Sequence, residues 1–328
     1  MEEEQEEWES ELEKSLIKLQ GSCDCDAGAL VIDGTAARQQ YGLILIAGGY
    51  TVTHDSARSY IFDYTDNSVR EGPSLITERW RHASVTLPNG DVVLFGGCDA
   101  NNNQTTSSSC ELFNAKRNSF SKIADMLEKR EGPAAVLLRS GLVLIIGGYG
   151  NDYSDSCEFY HPENNTFTPS KAKMTTKRHG HTASLLPDGK VLVCGGHDKI
   201  YYIQTTEIYD PETDSFSAGP LMTVKRVDHQ ATTLSDGRIL LTGGENAFSS
   251  DSTEIYDAAT NSFASGPTMI DGRKSHFSVL LPDGSVLLSG GYSSFFIPRT
   301  ELYDPSTNRF SLYENDLDMA RDCSVSLF

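Results

Sequence analysis

Ile239-Leu240-Leu241-Thr242-Gly243-Gly244 is a short apolar run closed by a double glycine, and the chain carries six such closures. The others are Gly48-Gly49, Gly96-Gly97, Gly147-Gly148, Gly195-Gly196 and Gly290-Gly291, and the six follow one another at steps of 48, 51, 48, 48 and 47 residues. Each pair ends a similar run, such as Leu43-Ile44-Leu45-Ile46 or Val92-Val93-Leu94-Phe95. Apolar runs of this length, bounded by turn residues, read as strands buried on both faces. A fixed period of this size marks a repeat architecture.

Three further marks keep register with the glycines. An aromatic follows downstream at Phe62, Phe113, Tyr160, Tyr209, Tyr256 and Tyr303, and seven residues later stands Val69, Phe120, Phe167, Phe216, Phe263 or Phe310. Ten or eleven residues beyond comes an arginine: Arg79, Arg130, Arg178, Arg226, Arg273, Arg321. Each of the first five arginines precedes the next double glycine by 17 residues. Between them lie two apolar runs split by turns such as Pro187-Asp188-Gly189, where Asp-Gly and Asn-Gly supply the positive φ of a short hairpin. Each unit therefore reads as four short antiparallel strands, a to d, with the double glycine closing strand b.

The succession of double glycine, Tyr-Asp, late aromatic and Arg-x-x-His resembles the kelch repeat over roughly residues 40–328. The resemblance implies an all-β fold: a six-bladed β-propeller of kelch repeats, four antiparallel strands per blade, spanning 28–328 after an acidic leader at 1–27. The sequence departs from the family pattern in placing Phe, or Val69, where Trp is usual, and in Asn114 and Pro133 of the second unit. The WD-repeat alternative lacks its Gly-His and Trp-Asp signatures.

The first unit has Val31 where an arginine is due, while the last runs on past Arg321 to Ser324-Val325-Ser326-Leu327-Phe328, which matches the start of a strand a. The C-terminal segment is therefore expected to supply strand a of blade 1 and close the ring. The rival is Ala29-Leu30-Val31-Ile32 filling that slot from the N-terminal side. In the leader, Trp8, Leu12, Leu16 and Leu19 share one face at helical spacing among glutamates, so a short helix followed by loop is expected.

A net charge of −19 argues against nucleic-acid binding and disfavours anionic membranes. No apolar stretch reaches the roughly 18–20 residues of a membrane span, and the Glu-rich start is unlike a secretory signal, so a cytoplasmic, monomeric protein is expected. Seven scattered cysteines fit reduced thiols, with Cys23-x-Cys25 too sparse for a zinc site and Cys98 and Cys110 free to pair only if oxidised. Asn103 and Asn164 begin glycosylation sequons.

Function is expected on the face where the b–c and d–a loops emerge, because variable loops on a rigid scaffold carry binding. The b–c loops offer Tyr50, Tyr149, His197, Tyr292, Phe295 and Phe296; the d–a loops offer Arg79, Arg81, Lys177, Arg178, Lys225, Arg226, Arg273 and Lys274. That basic ring suggests a protein or acidic-peptide partner, unless the in-register arginines pair internally with Glu111, Glu158, Glu207, Glu254 and Glu301. His82, His181, His229 and His276 recur with the repeat, and no metal or cofactor is expected. The reading is a non-catalytic interaction module of scaffold, adaptor or cytoskeleton-associated type. The alternative is a kelch-ring enzyme, oxidase or epimerase, with arginine and histidine near the channel holding a sugar acid.

Overall fold

The apolar runs ahead of the double glycines form strand b of each unit: Leu43–Ala47, Val92–Phe95, Val143–Ile146, Val191–Cys194, Ile239–Thr242 and Val286–Ser289. They are buried almost end to end, because each lies inside a four-stranded sheet with another sheet packed on either side. The computed structural model describes residues 42–49, 57–99, 105–246, 250–313 and 324–327. The leader with Cys23 and Cys25, the Ala29–Ile32 segment, Tyr50, Asn103 and Arg321 lie outside them.

In blade 5 the order a to d is Gln230–Thr233, Ile239–Thr242, Thr253–Asp257 and Ser262–Ser265, all antiparallel. Six sheets repeat this order. The innermost strands touch in cyclic succession, from Ala83–Thr86 through Ala134–Leu137, Thr182–Leu185, Gln230–Thr233 and Phe277–Leu280 to Ser324–Leu327 and back to Ala83–Thr86. The chain is a six-bladed β-propeller, with no helix among the described residues. The core is correspondingly split into six apolar clusters, each shared by two neighbouring blades.

The C-terminal strand closes the ring. Ser324–Leu327 pairs antiparallel with strand b of blade 1, in the register Ile44↔Leu327, Leu45↔Ser326, Ile46↔Val325 and Ala47↔Ser324. Blade 1 is thus built from both ends of the propeller sequence.

The double glycines are required by backbone geometry. Gly195 and Gly196 have φ of 63° and 97°, and a Cβ on them would lie 2.6 Å from the Arg226 carbonyl and 2.9 Å from the His179 carbonyl. No other residue tolerates both constraints. The late aromatics stack on strand c: Tyr209–Phe216, Tyr256–Phe263 and Tyr303–Phe310 have centroids 5.0, 5.0 and 5.1 Å apart. In blade 1, Val69 cannot supply that ring, and Phe62 meets Tyr313 edge-on at 6.4 Å instead. The Asn114 departure is compensated in its own blade. The a–b turn there carries Asp91, whose carboxylate accepts from Asn114 Nδ2 at 3.4 Å and from the Ala115 N–H at 3.0 Å. Blade 4 reverses the charges, with Lys190 Nζ 3.3 Å from Asp210.

Deleting residues 322–328 is expected to cost on the order of 4 kcal/mol, at roughly 1 kcal/mol for each net backbone hydrogen bond lost, and to expose the edge of Leu43–Ala47. Urea denaturation and light scattering check this. An unchanged midpoint and no aggregation would contradict the closure.

Candidate functional site

Strand b runs toward the double glycine and strand d, beyond strand c, runs in the same direction, so the b–c and d–a loops share one face of the ring. The basic ring expected there turns inward. Arg79, Arg130, Arg178, Arg226 and Arg273 are at most 1% exposed. Arg226 is representative: Nη1 donates to the Gly243 carbonyl at 2.6 Å and the Ser252 carbonyl at 2.9 Å, Nη2 to Ser252 Oγ at 2.9 Å, and Nε to Glu254 Oε1 at 3.0 Å. The bond to the first glycine of the pair recurs from Arg79, Arg130, Arg178 and Arg273. This contact is the origin of the 17-residue spacing. Each paired glutamate also accepts, on its other oxygen, a backbone N–H from the incoming d–a loop: Ile76, Leu127, Thr175, Thr223 or Ile270. The second glycine of blades 1 to 5 gives its N–H to the carbonyl of the arginine that begins the next blade. Arg79, Arg178, Arg226 and Arg273 are therefore withdrawn from the candidate surface: their charges are desolvated and neutralised inside the blades.

Two residues beyond each arginine the backbone turns left-handed, at Arg81, Gly132, Gly180, Asp228 and Ser275, with φ between 53° and 63°. Their peptides join hand to hand around the axis. Gly132 N–H donates to Arg81 C=O, Gly180 to Gly132, Asp228 to Gly180 and Ser275 to Asp228, at 2.8–3.1 Å. Across this mouth Arg81 donates to Glu131 Oε1 at 3.0 Å and Asp228 Oδ2 at 3.2 Å, while its guanidinium lies 5.2 Å from the Trp80 ring centroid. His179 Nε2 stands 3.7 Å from Glu131. Burial opposes the Glu131 charge, but the His179 imidazole, the Cys98 thiol and Arg81 outweigh it and hold the carboxyl down at about 2. Arg81 is thus a lock on the mouth.

An aromatic arc flanks this lock. Tyr149, bridged to Glu131, packs edge-on to Tyr153 at 5.3 Å, and Tyr153 meets His197 at 5.4 Å with its hydroxyl 3.0 Å from Nδ1. His197 in turn meets Tyr202 at 5.4 Å. In blade 6, Lys274 is bridged to Tyr292 and ion-paired to Glu245, and Tyr292 packs on Phe296 at 5.8 Å. Lys177 is exposed beside Asp152 at 3.0 Å, Lys225 is exposed, and Phe295 is 66% exposed. Tyr153, Tyr202, Ile200 and Tyr201 complete the face and went unnoticed in sequence because none sits on a repeat mark. Loop position is their only signal.

With this geometry in view, the comparisons decide the family. The profile of the KLHDC2/KLHL20/DRC7 Kelch-repeats domain matches residues 34–244 and again 81–291. The chain belongs to the kelch-repeat family. No curated protein matches it by sequence. Among solved structures, YjhT shares this kelch propeller's fold with a TM-score of 0.64 at 14% identity, covering 74% of this chain and 86% of that one. A fungal alcohol oxidase of the AA5 family, in complex with copper, gives 0.63 at 15% identity, covering 84% of this chain and 63% of that one. At these identities the likeness is one of fold.

The kelch histidines lie inside the blades. His82 and His229 are buried, and burial, reinforced by Arg79 and Arg226, pushes both down to about 3. His181 and His276 fall well below the usual value for the same reasons. His229 Nε2 meets Thr182 Oγ1 at 2.9 Å and His276 Nε2 meets Thr242 Oγ1 at 2.8 Å. The arginines and histidines read as carboxylate holders for a sugar acid are thus internal. Among the described residues no cluster of three or more His, Cys, Asp or Glu is placed to hold a metal ion. Cys98, Cys110, Cys157 and Cys194 are buried and in no disulfide, and burial pushes Cys110 and Cys157 up to about 12.

Two outcomes follow from these buried groups. Arg226→Ala leaves Glu254 uncompensated and is expected to destabilise by about 3–5 kcal/mol, measured by urea denaturation. A loss below about 1 kcal/mol, the value of a surface pair, would contradict the staple. Between pH 6.5 and about 3 the unfolded chain takes up protons that His82 and His229 refuse in the fold, so stability is complete above that window and falls as pH drops through it. His229→Gln is expected to flatten the pH dependence by up to about 1.4 kcal/mol per pH unit, read from denaturation midpoints at successive pH values.

Proposed function

We propose that this kelch propeller is a non-catalytic, monomeric interaction module of the cytoplasm that engages a partner protein through its b–c and d–a loop face. One observation carries the reading. Seven of the nine large apolar side chains exposed among the described residues, Ile76, Leu127, Ile200, Tyr201, Leu221, Ile270 and Phe295, lie on loops of that face. The other two, Val69 and Leu312, lie on outer strands. Concentrated exposed apolar surface marks interaction sites, and aromatic side chains within it make effective anchors. Lys177 and Lys225 add positive charge to the same face of an acidic protein, which supports a partner contributing carboxylates. No helix among the described residues is long and apolar enough to cross a membrane.

The test compares proteins captured from cytoplasmic extract by the wild-type propeller, by a Phe295→Ser/Lys177→Glu/Lys225→Glu variant, and by the turn-face control Glu212→Arg. The loop-face variant is expected to lose at least about tenfold in specific capture, a loss of about 1.4 kcal/mol, with an unchanged Tm, while the control keeps it. Equal capture by all three would refute the loop face as the binding surface.

A further inference from the structure

The b–c loop of blade 4 differs from a passive connection. Ile200 and Tyr201, at its tip, are 71% and 65% exposed, among the most exposed large apolar side chains described. Yet the turn that carries them is tightly held. The Asp198 carboxylate accepts from the Ile200 and Tyr201 N–H groups at 2.9 and 2.7 Å, and the Asp198 N–H donates to the Tyr201 carbonyl at 3.2 Å. His197 and Tyr202 close the base as a bridge, and the Ile203 side chain is buried with its N–H on the Gly196 carbonyl at 2.8 Å. Lys199 adopts φ of 92°, a conformation that a non-glycine residue enters only when its surroundings impose it. A loop fixed in an unfavourable conformation in order to hold two apolar side chains in water is pre-organised for a contact.

The charges around the tip define what it meets. Lys199 and Lys177 flank Asp152 at 3.6 and 3.0 Å, and Lys225 stands exposed on the d–a loop that follows the same blade, its neighbour Arg226 hydrogen-bonded through its N–H to the Ile203 carbonyl. Three lysines therefore stand on the b–c loop of blade 4 and on the d–a loops before and after that blade; Asp152 lies between two of them, and the Asp198 carboxylate is taken up by the N–H groups of the turn itself. The rest of the protein is strongly acidic.

We infer that Ile200 and Tyr201 form a rigid apolar knob that inserts into an apolar pocket with an acidic rim on a folded partner protein. This rests on the loop-face reading above and makes the propeller, at blade 4, the inserting side of the interface. The chain's net charge of −19 sets a lipid surface second.

The experiment places the photocrosslinker p-benzoylphenylalanine at position 201, and separately at position 295, in the full chain in cells. Crosslinked peptides are mapped by mass spectrometry, and the crosslinked protein is then purified for binding measurements. The expected adduct from position 201 lies on residues lining an apolar cavity edged by Asp or Glu. Ile200→Ser/Tyr201→Ser should weaken binding of that purified protein by about 30-fold or more, as for an interface hot spot. Lys199→Glu/Lys225→Glu should weaken it less and make the affinity less sensitive to salt. Both variants should keep the wild-type Tm.

Adducts from position 295 with none from 201 would overturn the knob and leave the loop-face reading standing. No adduct from either would overturn both. An adduct confined to an extended, pocketless segment would also refute the insertion. So would Ile200- and Tyr201-dependent binding to vesicles of phosphatidylserine and phosphatidylcholine in equal parts, or self-association in sedimentation that the double serine variant abolishes.

Discussion

Five described blades are fastened by a guanidinium that never reaches solvent. It binds the carbonyl of the first glycine, the start of strand c and a glutamate that itself caps the incoming loop. The arginine's own carbonyl holds the second glycine of the blade before. One residue therefore fixes three things at once: the end of strand b, the entry of the chain into the blade and the contact with the neighbouring blade. The double glycines and the buried glutamates follow from it. The glycines give up their Cβ so that an arginine carbonyl can approach, and the glutamates supply the charge that a desolvated guanidinium requires.

The same arrangement shapes the surface. With the repeated arginines neutralised internally, the loop face is left with the cations that fall between the repeat marks. Of these, Arg81 bridges the axial mouth to Glu131 and Asp228, and Lys274 pairs with Glu245. Lys129, Lys177, Lys199 and Lys225 remain exposed, with Lys177 and Lys199 on either side of Asp152 beside the b–c loop of blade 4. A ring that looks six-fold and basic in sequence is, in space, an internal lattice, and the cations left at the surface are those that fall between the repeat marks.

The fold was legible because its determinants are local and repeated. Asp-Gly turns set hairpins, apolar runs set strand b, and a missing arginine in the first unit pointed to the closing strand that pairs Leu327 with Ile44. The candidate site was legible only in outline. Phe295 is exposed, whereas Phe296, its neighbour, packs on Tyr292; no pattern in two adjacent phenylalanines distinguishes them. Ile200 and Tyr201 carry no mark at all, because a loop tip is defined by the turn beneath it.

The amino-acid sequence by itself determined the number of blades, the strand order and the way the ring closes, since each depends on contacts within one repeat length or on a visible gap in the pattern. Only the tertiary structure decided which charges are available. Arg226 finds Glu254 across 28 residues, and Arg81 finds Asp228 across 147. Whether a cation faces water or a buried carboxylate is settled by desolvation and by partners that are neighbours in space alone.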